Sequence, residues 1–128
     1  MIQVYVKKLT NCPVSAPKVK KILKEVLTKE GIVSKADVSV SFVSQKHMLN
    51  LAIKYLRERE VHDVLTFPYL EGDQAFIEPP DETIHLGDIV ICYPKVVKEA
   101  ESEGKLIDEK VLELVEHGAL HLMGKHHE

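Results

Sequence analysis

Four short stretches of the chain show the patterns of strands. Residues 38–42 alternate valine and phenylalanine with serine, and residues 2–6 alternate in the same way. Because successive side chains of a strand point to opposite faces, such alternation predicts a strand with one buried and one polar face. The two later stretches are short apolar runs with β-branched side chains. The four predicted strands cover residues 2–6, 38–42, 63–69 and 86–92.

Between these stretches, apolar residues recur at three- and four-residue steps, which is the period of an amphipathic helix. Gly31 stops the first helical run, and Ser44 has the side chain of a helix N-cap before the second. The four predicted helices cover Val19 to Leu27, Met48 to Tyr55, Pro94 to about Gly104, and about Asp108 to Leu122.

The element order is therefore β-α-β-α-β-β-α-α. Residues 70–85 hold a glycine, two prolines and five acidic residues, which predicts a loop. No internal repeat or linker interrupts the sequence. We therefore predict one domain over residues 1–128. Its class is α/β (α+β), with a small mixed four-stranded sheet packed with helices and the last helix near the C-terminus.

Composition limits the function. The chain has 128 residues, 45% of them hydrophobic, and a net charge of −3, so no global positive charge attracts nucleic acid. Cys12 and Cys92 are too few for a disulfide scaffold and indicate reduced thiols. No signal peptide and no apolar run of about 20 residues is present. We expect a soluble, cytoplasmic protein that does not bind membranes.

Four of the seven histidines lie in the last twelve residues. His117 and His121 are four positions apart, which on a helix places both imidazoles on one face. Gly124 can end that helix in the left-handed conformation, so that His126 or His127 returns a third imidazole. Three protein ligands with an open position are typical of a catalytic zinc site. The pattern predicts one zinc ion, although nickel and copper also suit imidazole ligands.

The histidine-rich end of the sequence has two simpler interpretations. An isolated histidine pair at this spacing is often accidental, and a histidine-rich end is also typical of an expression tag. Against a tag, Leu120, Leu122 and Met123 continue the amphipathic pattern between the histidines. Helical zinc peptidases carry a glutamate directly after the first histidine, where it acts as general base. Gly118 holds that position here, which disfavours peptide hydrolysis by that mechanism.

At residues 117–127, HGALHLMGKHH, the sequence resembles the YbeY family of bacterial endoribonucleases, whose signature has the form H-G-x-L-H-L-x-G-x-D-H. Two further blocks agree with that family, DVLTFP at 63–68 and LGDIVIC at 86–92, and so does the element order. The resemblance covers nearly the whole chain. It implies that His117, His121 and His127 are the metal ligands.

The resemblance also implies a substrate. It indicates cleavage of single-stranded RNA during maturation and quality control of small-subunit ribosomal RNA, with ribosome-associated proteins as further partners. The residues by themselves indicate only an ion that activates water beside a groove. Binding of RNA would then depend on local basic residues, for which the candidates are Lys54, Arg57, Arg59 and Lys125.

Three departures from the family pattern matter. The signature aspartate is His126 here, which can still accept a hydrogen bond but lacks the charge. The family has Tyr-Arg in its second helix, and the arginine is implicated in activity. Leu56 takes that place, so Arg57 is the candidate catalytic residue, with Arg59 behind it. The family continues for another helix, whereas this chain stops at Glu128, as a trimmed form would.

Other interpretations stay open. One is a ribosome assembly factor whose ion is structural, and another is a hydrolase of some other substrate, such as a peptide. Asp63 and Asp88 are assigned structural roles, Asp88 by orienting the turn that follows Gly87. His62 is interpreted as a surface histidine.

Overall fold

The computed structural model describes residues 1–69 and 83–124, and within them every predicted element is present in the predicted order. The predicted loop at 70–85 falls mostly outside the described residues. Residues 84 and 85 were assigned to that loop wrongly, because they pair with Ala36 and Asp37 as the start of the last strand. The elements are β1 (Ile2–Lys8), α1 (Ala16–Lys29), β2 (Ala36–Val43), α2 (Gln45–Leu51), a π-helical turn (Ala52–Leu56), β3 (Val64–Pro68), β4 (Ile84–Cys92), α3 (Tyr93–Glu103) and α4 (Ile107–Leu122).

The four strands form one mixed sheet in the order β1-β2-β4-β3. β1 and β4 each pair in parallel with β2, whereas β3 runs antiparallel to β4. Parallel neighbours need a crossover connection, and α1 supplies it between β1 and β2. Among the strands of residues 1–69 and 83–124, β3 is consequently at the edge of the sheet and pairs with β4 alone. The predicted fold class is confirmed.

The two faces of the sheet differ in chemistry. One face packs fully buried side chains against α1 and α4, including Val40, Phe42 and Ile89. The opposite face carries a smaller apolar cluster beneath α2, which includes Met48 and Val90. Polar side chains, among them Ser39, Ser41 and Asp88, occupy much of the remaining second face.

The helix ends follow the chemistry of their capping residues. Ser15 accepts a hydrogen bond from the Lys18 N–H at 3.3 Å, and Ser44 accepts one from the His47 N–H at 3.2 Å. The Ser44 contact confirms the predicted cap of α2. Gly31 follows α1 with φ +101°, a conformation that glycine adopts without strain. Within residues 1–69 and 83–124, no helix is long and apolar enough to cross a membrane.

Two glycines let other elements approach β4 closely. A Cβ atom on Gly118 of α4 would lie 2.8 Å from Ile89 Cγ2, so the absence of a side chain brings α4 onto the sheet. Gly87 has φ +138°, and a Cβ there would meet the Phe67 carbonyl oxygen and lie 2.9 Å from Pro68 Cα. Both glycines lie in the blocks that carry the family resemblance, and their small size has a direct packing reason.

Candidate metal centre and its surroundings

His117 and His121 lie on one face of α4, as their spacing predicted. Their ring centroids are 4.3 Å apart and the ring planes are inclined at 45°. Both side chains are partly buried near the C-terminal end of the helix. This arrangement holds two imidazoles side by side where one ion can reach both.

The end of α4 positions this pair. Gly118 is buried against Ile89, which fixes the rotation of the helix over the sheet. The helix ends after Leu122, and Gly124 has φ +80° with its N–H donating to the His121 carbonyl at 3.0 Å. The prediction that Gly124 ends the helix in the left-handed conformation is confirmed. Residues 125–128, including His126 and His127, lie outside the described residues, so the third ligand stays a prediction.

Arg57 ends the π-helical turn that follows α2. It has φ 57° and ψ 34°, and it is the one non-glycine residue with positive φ in residues 1–69 and 83–124. A left-handed non-glycine residue costs about 1 kcal/mol or more, and such strain concentrates at functional sites. The guanidinium is exposed, and within the described part of the chain it forms no salt bridge. Within the described residues, therefore, no acidic side chain neutralises the charge of the Arg57 guanidinium. Arg57 and the histidine pair lie on different elements, the end of the π-helical turn and α4.

A second group of possible ligands lies between the π-helical turn and β3. The ligand atoms of Glu58, Glu60 and His62 all lie within 4.8 Å of one another. The His62 Nε2 atom is 2.8 Å from Glu58 Oε1 and 3.5 Å from Glu60 Oε2. His62 is partly buried and lies within hydrogen-bonding distance of Glu58, so it is more than a plain surface histidine. The alternation Glu-x-Glu-x-His was the missed signal, because extended backbone places such residues on one side.

Asp63 joins the start of β3 to α3. Its carbonyl accepts the Cys92 N–H at 2.9 Å, and its Oδ1 accepts the Val64 N–H at 2.7 Å. Burial, followed by a hydrogen bond to Asp63 and the charge of that residue, raises the pKa of the Glu99 carboxyl on α3. Glu99 Oε1 is buried without a partner in the described part of the molecule. These contacts are of the structural kind proposed for Asp63.

Asp88 lies within β4 rather than at a turn that it orients. Its carboxylate accepts a short hydrogen bond from the Ser39 hydroxyl of β2, on the face of the sheet under α2. The sequence placed Asp88 at the start of a strand because the pairing of residues 84 and 85 with β2 was not apparent. The structure moves it to the middle of the strand, where its side chain points into a groove.

The family profile described as "Endoribonuclease YbeY" matches residues 7–128 of the chain. The chain belongs to the endoribonuclease YbeY family. The expected resemblance is thereby confirmed, and so is assignment of the chain to an enzyme family of the nuclease class. The chain also contains two buried free cysteines, in line with the predicted reduced thiols.

Individual relatives agree with this assignment to the endoribonuclease YbeY family. Endoribonuclease YbeY of Dehalococcoides mccartyi is 33% identical over 123 residues, covering 90% of this chain and 72% of the relative. The Thermus thermophilus protein is 32% identical over 112 residues, covering 88% and 76% respectively. The solution structure of TM1509 from Thermotoga maritima superimposes with a TM-score of 0.57 and 28% identity, over 96% of this chain and 75% of that one. The solved structure supports the same sheet-and-helix architecture.

Proposed function

We propose that this chain is a metal-dependent endoribonuclease specific for single-stranded RNA, acting in small-subunit ribosomal RNA maturation and ribosome quality control in the cytoplasm. The family supports the coarser statement that it is an endoribonuclease. The observation that carries the metal dependence is the side-by-side placement of His117 and His121, with ring centroids 4.3 Å apart. Ribosome-associated proteins are the proposed further partners.

The donor set fits a divalent transition metal. Imidazole nitrogens suit zinc, and nickel and copper bind the same donors, so availability decides among them. His117 and His121 would hold the ion, with His127 as the third ligand and His126 beside it as a hydrogen-bond partner. When bound, such an ion lowers the pKa of a coordinated water and neutralises charge on a phosphoryl oxygen.

The residues of the chain divide the remaining work. The helix holds both imidazoles before any ion arrives, because Gly118 and Ile89 fix its rotation. Arg57 presents an exposed guanidinium, which can bind two phosphate oxygens at once. We assign to Arg57 the stabilisation of negative charge on the phosphate during cleavage. Arg59, which is also exposed, is the next candidate.

The metal assignment is tested by metal analysis of untagged protein. His117→Ala and His121→Ala should each lose most of the bound metal, because each removes a ligand. The matched control is His85→Ala on β4, where the imidazole pairs with Asp37 of β2 at 2.9 Å, and this variant should retain full occupancy. Full occupancy in both ligand variants would place the metal elsewhere, with the group at His62 as the next site to examine.

The same measurement separates the two histidines after Gly124. His127→Ala should lose metal and His126→Ala should keep it, because the family signature has its histidine ligand at position 127 and a supporting aspartate at position 126. The reverse result would make His126 the third ligand.

The role of Arg57 is tested by cleavage of single-stranded RNA. Arg57→Ala should lower the rate by about two to three orders of magnitude, the scale for loss of one transition-state stabilising group. Arg57→Gly should lower it equally while raising stability, because glycine adopts φ 57° without strain. The control Lys24→Ala removes an exposed charge from α1 and should change neither. Wild-type cleavage by Arg57→Ala would remove this residue from the mechanism.

A ribosome assembly factor with a structural ion is the second candidate. The observation that favours it is Leu56, which is exposed where the family has its arginine. Metal removal and turnover discriminate the two. An enzyme should cut many RNA molecules per protein and remain folded without metal, whereas the assembly factor would unfold on chelation and show no turnover.

A further inference from the structure

The polar face of the sheet contains a groove that the proposed mechanism does not use. It has a volume of about 360 Å³ and lies between the π-helical turn and the strands. Ser39 and Ser41 of β2 and Asp88 of β4 form its polar side, and Tyr55 and Phe67 form its aromatic side. Small-molecule sites range from about 300 to 1,000 Å³, so the groove suits one nucleoside rather than a larger ligand.

We propose that this groove binds one base of the single-stranded RNA substrate, and that Asp88 selects a base whose edge donates hydrogen bonds. The proposal rests on the proposed function, since it assumes that RNA is the substrate. It adds a base-recognition subsite, which the histidine pair and Arg57 do not supply.

The polar side of the groove presents acceptors. An ionised carboxylate only accepts hydrogen bonds, and Ser39 already donates one to Asp88. Asp88 is exposed, so its remaining lone pairs face the groove. Carboxylates recognise bases through their N–H groups, as with the amino group of cytosine. Guanine offers two adjacent N–H donors to the two carboxylate oxygens, whereas uracil offers one.

The aromatic side provides a surface for stacking. Tyr55 is 56% exposed, although its ring contacts Phe67 in an edge-on arrangement with centroids 5.2 Å apart. Phe67 therefore fixes the tyrosine while leaving much of it open. Unstacked bases of single-stranded RNA stack on such rings, and this stacking contributes to binding affinity whatever the base sequence.

The rim of the groove is basic. Lys7 lines it, the Lys54 ammonium lies 5.2 Å from the Tyr55 ring centroid, and Lys46 joins Lys54 on the adjoining surface of α2. Over residues 1–69 and 83–124, none of these three lysines forms a salt bridge. Their positive charges are available to RNA phosphates. They provide a local attraction for RNA that the net charge of −3 does not provide over the whole molecule.

The groove and the histidine pair lie on opposite faces of the sheet. α4 packs on the face that contains Ile89, whereas the groove lies on the face that contains Val90. Among the described strands β3 lies at the edge of the sheet, so a flexible RNA strand can pass over it from one face to the other. A base in the groove is therefore set apart from the cleaved phosphate, and it should affect affinity and cut position rather than the chemical step.

The test compares three RNAs of ten nucleotides. The first contains only uridine, the second has one uridine replaced by guanosine, and the third has inosine at that same position. Inosine lacks only the amino group of guanosine. Equilibrium binding to the intact protein should favour guanosine over inosine by about tenfold, the scale for one hydrogen bond to a charged group. Asp88→Asn should abolish that preference, since asparagine can retain the contact with Ser39 but loses the charge.

Three further variants distinguish the contribution of base stacking on Tyr55 from the effect of filling the groove. Tyr55→Ala should weaken binding of all three RNAs by about tenfold, and the matched Tyr55→Phe should bind like wild type. Ser41→Leu should fill the groove and raise KM for cleavage while leaving kcat and metal content unchanged.

Equal binding of guanosine and inosine RNA by the wild-type protein would overturn the proposal, whether or not the protein cuts RNA. Normal RNA binding by the groove variants would also overturn the proposal. A protein partner would then be the alternative occupant of the groove. Guanosine-selective binding that depends on Asp88, without any turnover, would support the base-recognition subsite and refute the proposed RNA cleavage.

Discussion

Replacing Gly118 with alanine tests how closely α4 approaches the sheet. In an open helix, alanine is more favourable than glycine by about 1 kcal/mol. Here the new Cβ would lie 2.8 Å from Ile89 Cγ2 and 3.3 Å from its Cγ1 and Cδ1 atoms, well inside the usual carbon–carbon separation of about 3.5–4.0 Å. Ile89 is fully buried and cannot withdraw. Overpacking of a core costs about 1–3 kcal/mol, so we expect a net loss of about 1 kcal/mol.

Urea denaturation with metal-free protein measures this change. The control Glu116→Ala alters an exposed position in the same turn and should stay within about 0.5 kcal/mol of wild type. In an Ile89→Ala background the obstruction is gone, so Gly118→Ala should become neutral or stabilising, with a coupling energy of about 1–2 kcal/mol. A wild-type protein stabilised by Gly118→Ala would refute the close approach, and with it the account of how the histidines are held in place.

Three further changes have defined outcomes. Gly87→Ala should destabilise more than Gly118→Ala, because its φ of +138° is strained for alanine and the obstructing atoms belong to the backbone; thermal unfolding measures this. Glu99→Gln should raise stability at neutral pH, as followed by denaturation against pH. The folded pKa of Glu99 is raised above its ordinary value of 4.5, so wild-type stability should fall as pH rises from about 4.5 through the raised pKa, and the variant should lack that fall. RNA affinity should decrease steeply with salt, and Lys54→Ala should reduce the slope of log affinity against log salt by about 0.7.

Local patterns were sufficient to predict the elements. The valine–serine alternation of β2 and the serine caps act within a few residues, and no distant contact overrides them. The side-by-side placement of His117 and His121 could be predicted in the same way, because it depends only on the helix between them. Gly124 could be assigned for the same reason, since its φ of +80° ends that helix locally.

The remaining features depend on which strands become neighbours. Asp88 seemed to begin a strand, because nothing near it in sequence shows that β4 extends back to Ile84 alongside β2. The contact with Ser39 joins residues 49 positions apart and requires the parallel register of β2 and β4. The proximity of Glu99 to Asp63 likewise requires α3 to pack beside the start of β3.

The π-helical turn shows how these long-range features bear on function. A turn with wider hydrogen bonding has no clear sequence signal, and here the Arg57 N–H donates to the Ala52 carbonyl, five residues back. It leaves Tyr55 beside the groove and puts Arg57 in the left-handed conformation at the point where the chain turns toward β3. The family resemblance places Leu56 at the position of the family's arginine, and the irregular turn is a physical reason for the proposal that Arg57 takes that role. Restoring arginine at position 56 tests this: if Arg57 acts in its place, Leu56→Arg should restore cleavage to an Arg57→Ala protein and add little to the wild type. A Leu56→Arg protein much faster than wild type would instead show that Arg57 never replaced the missing side chain.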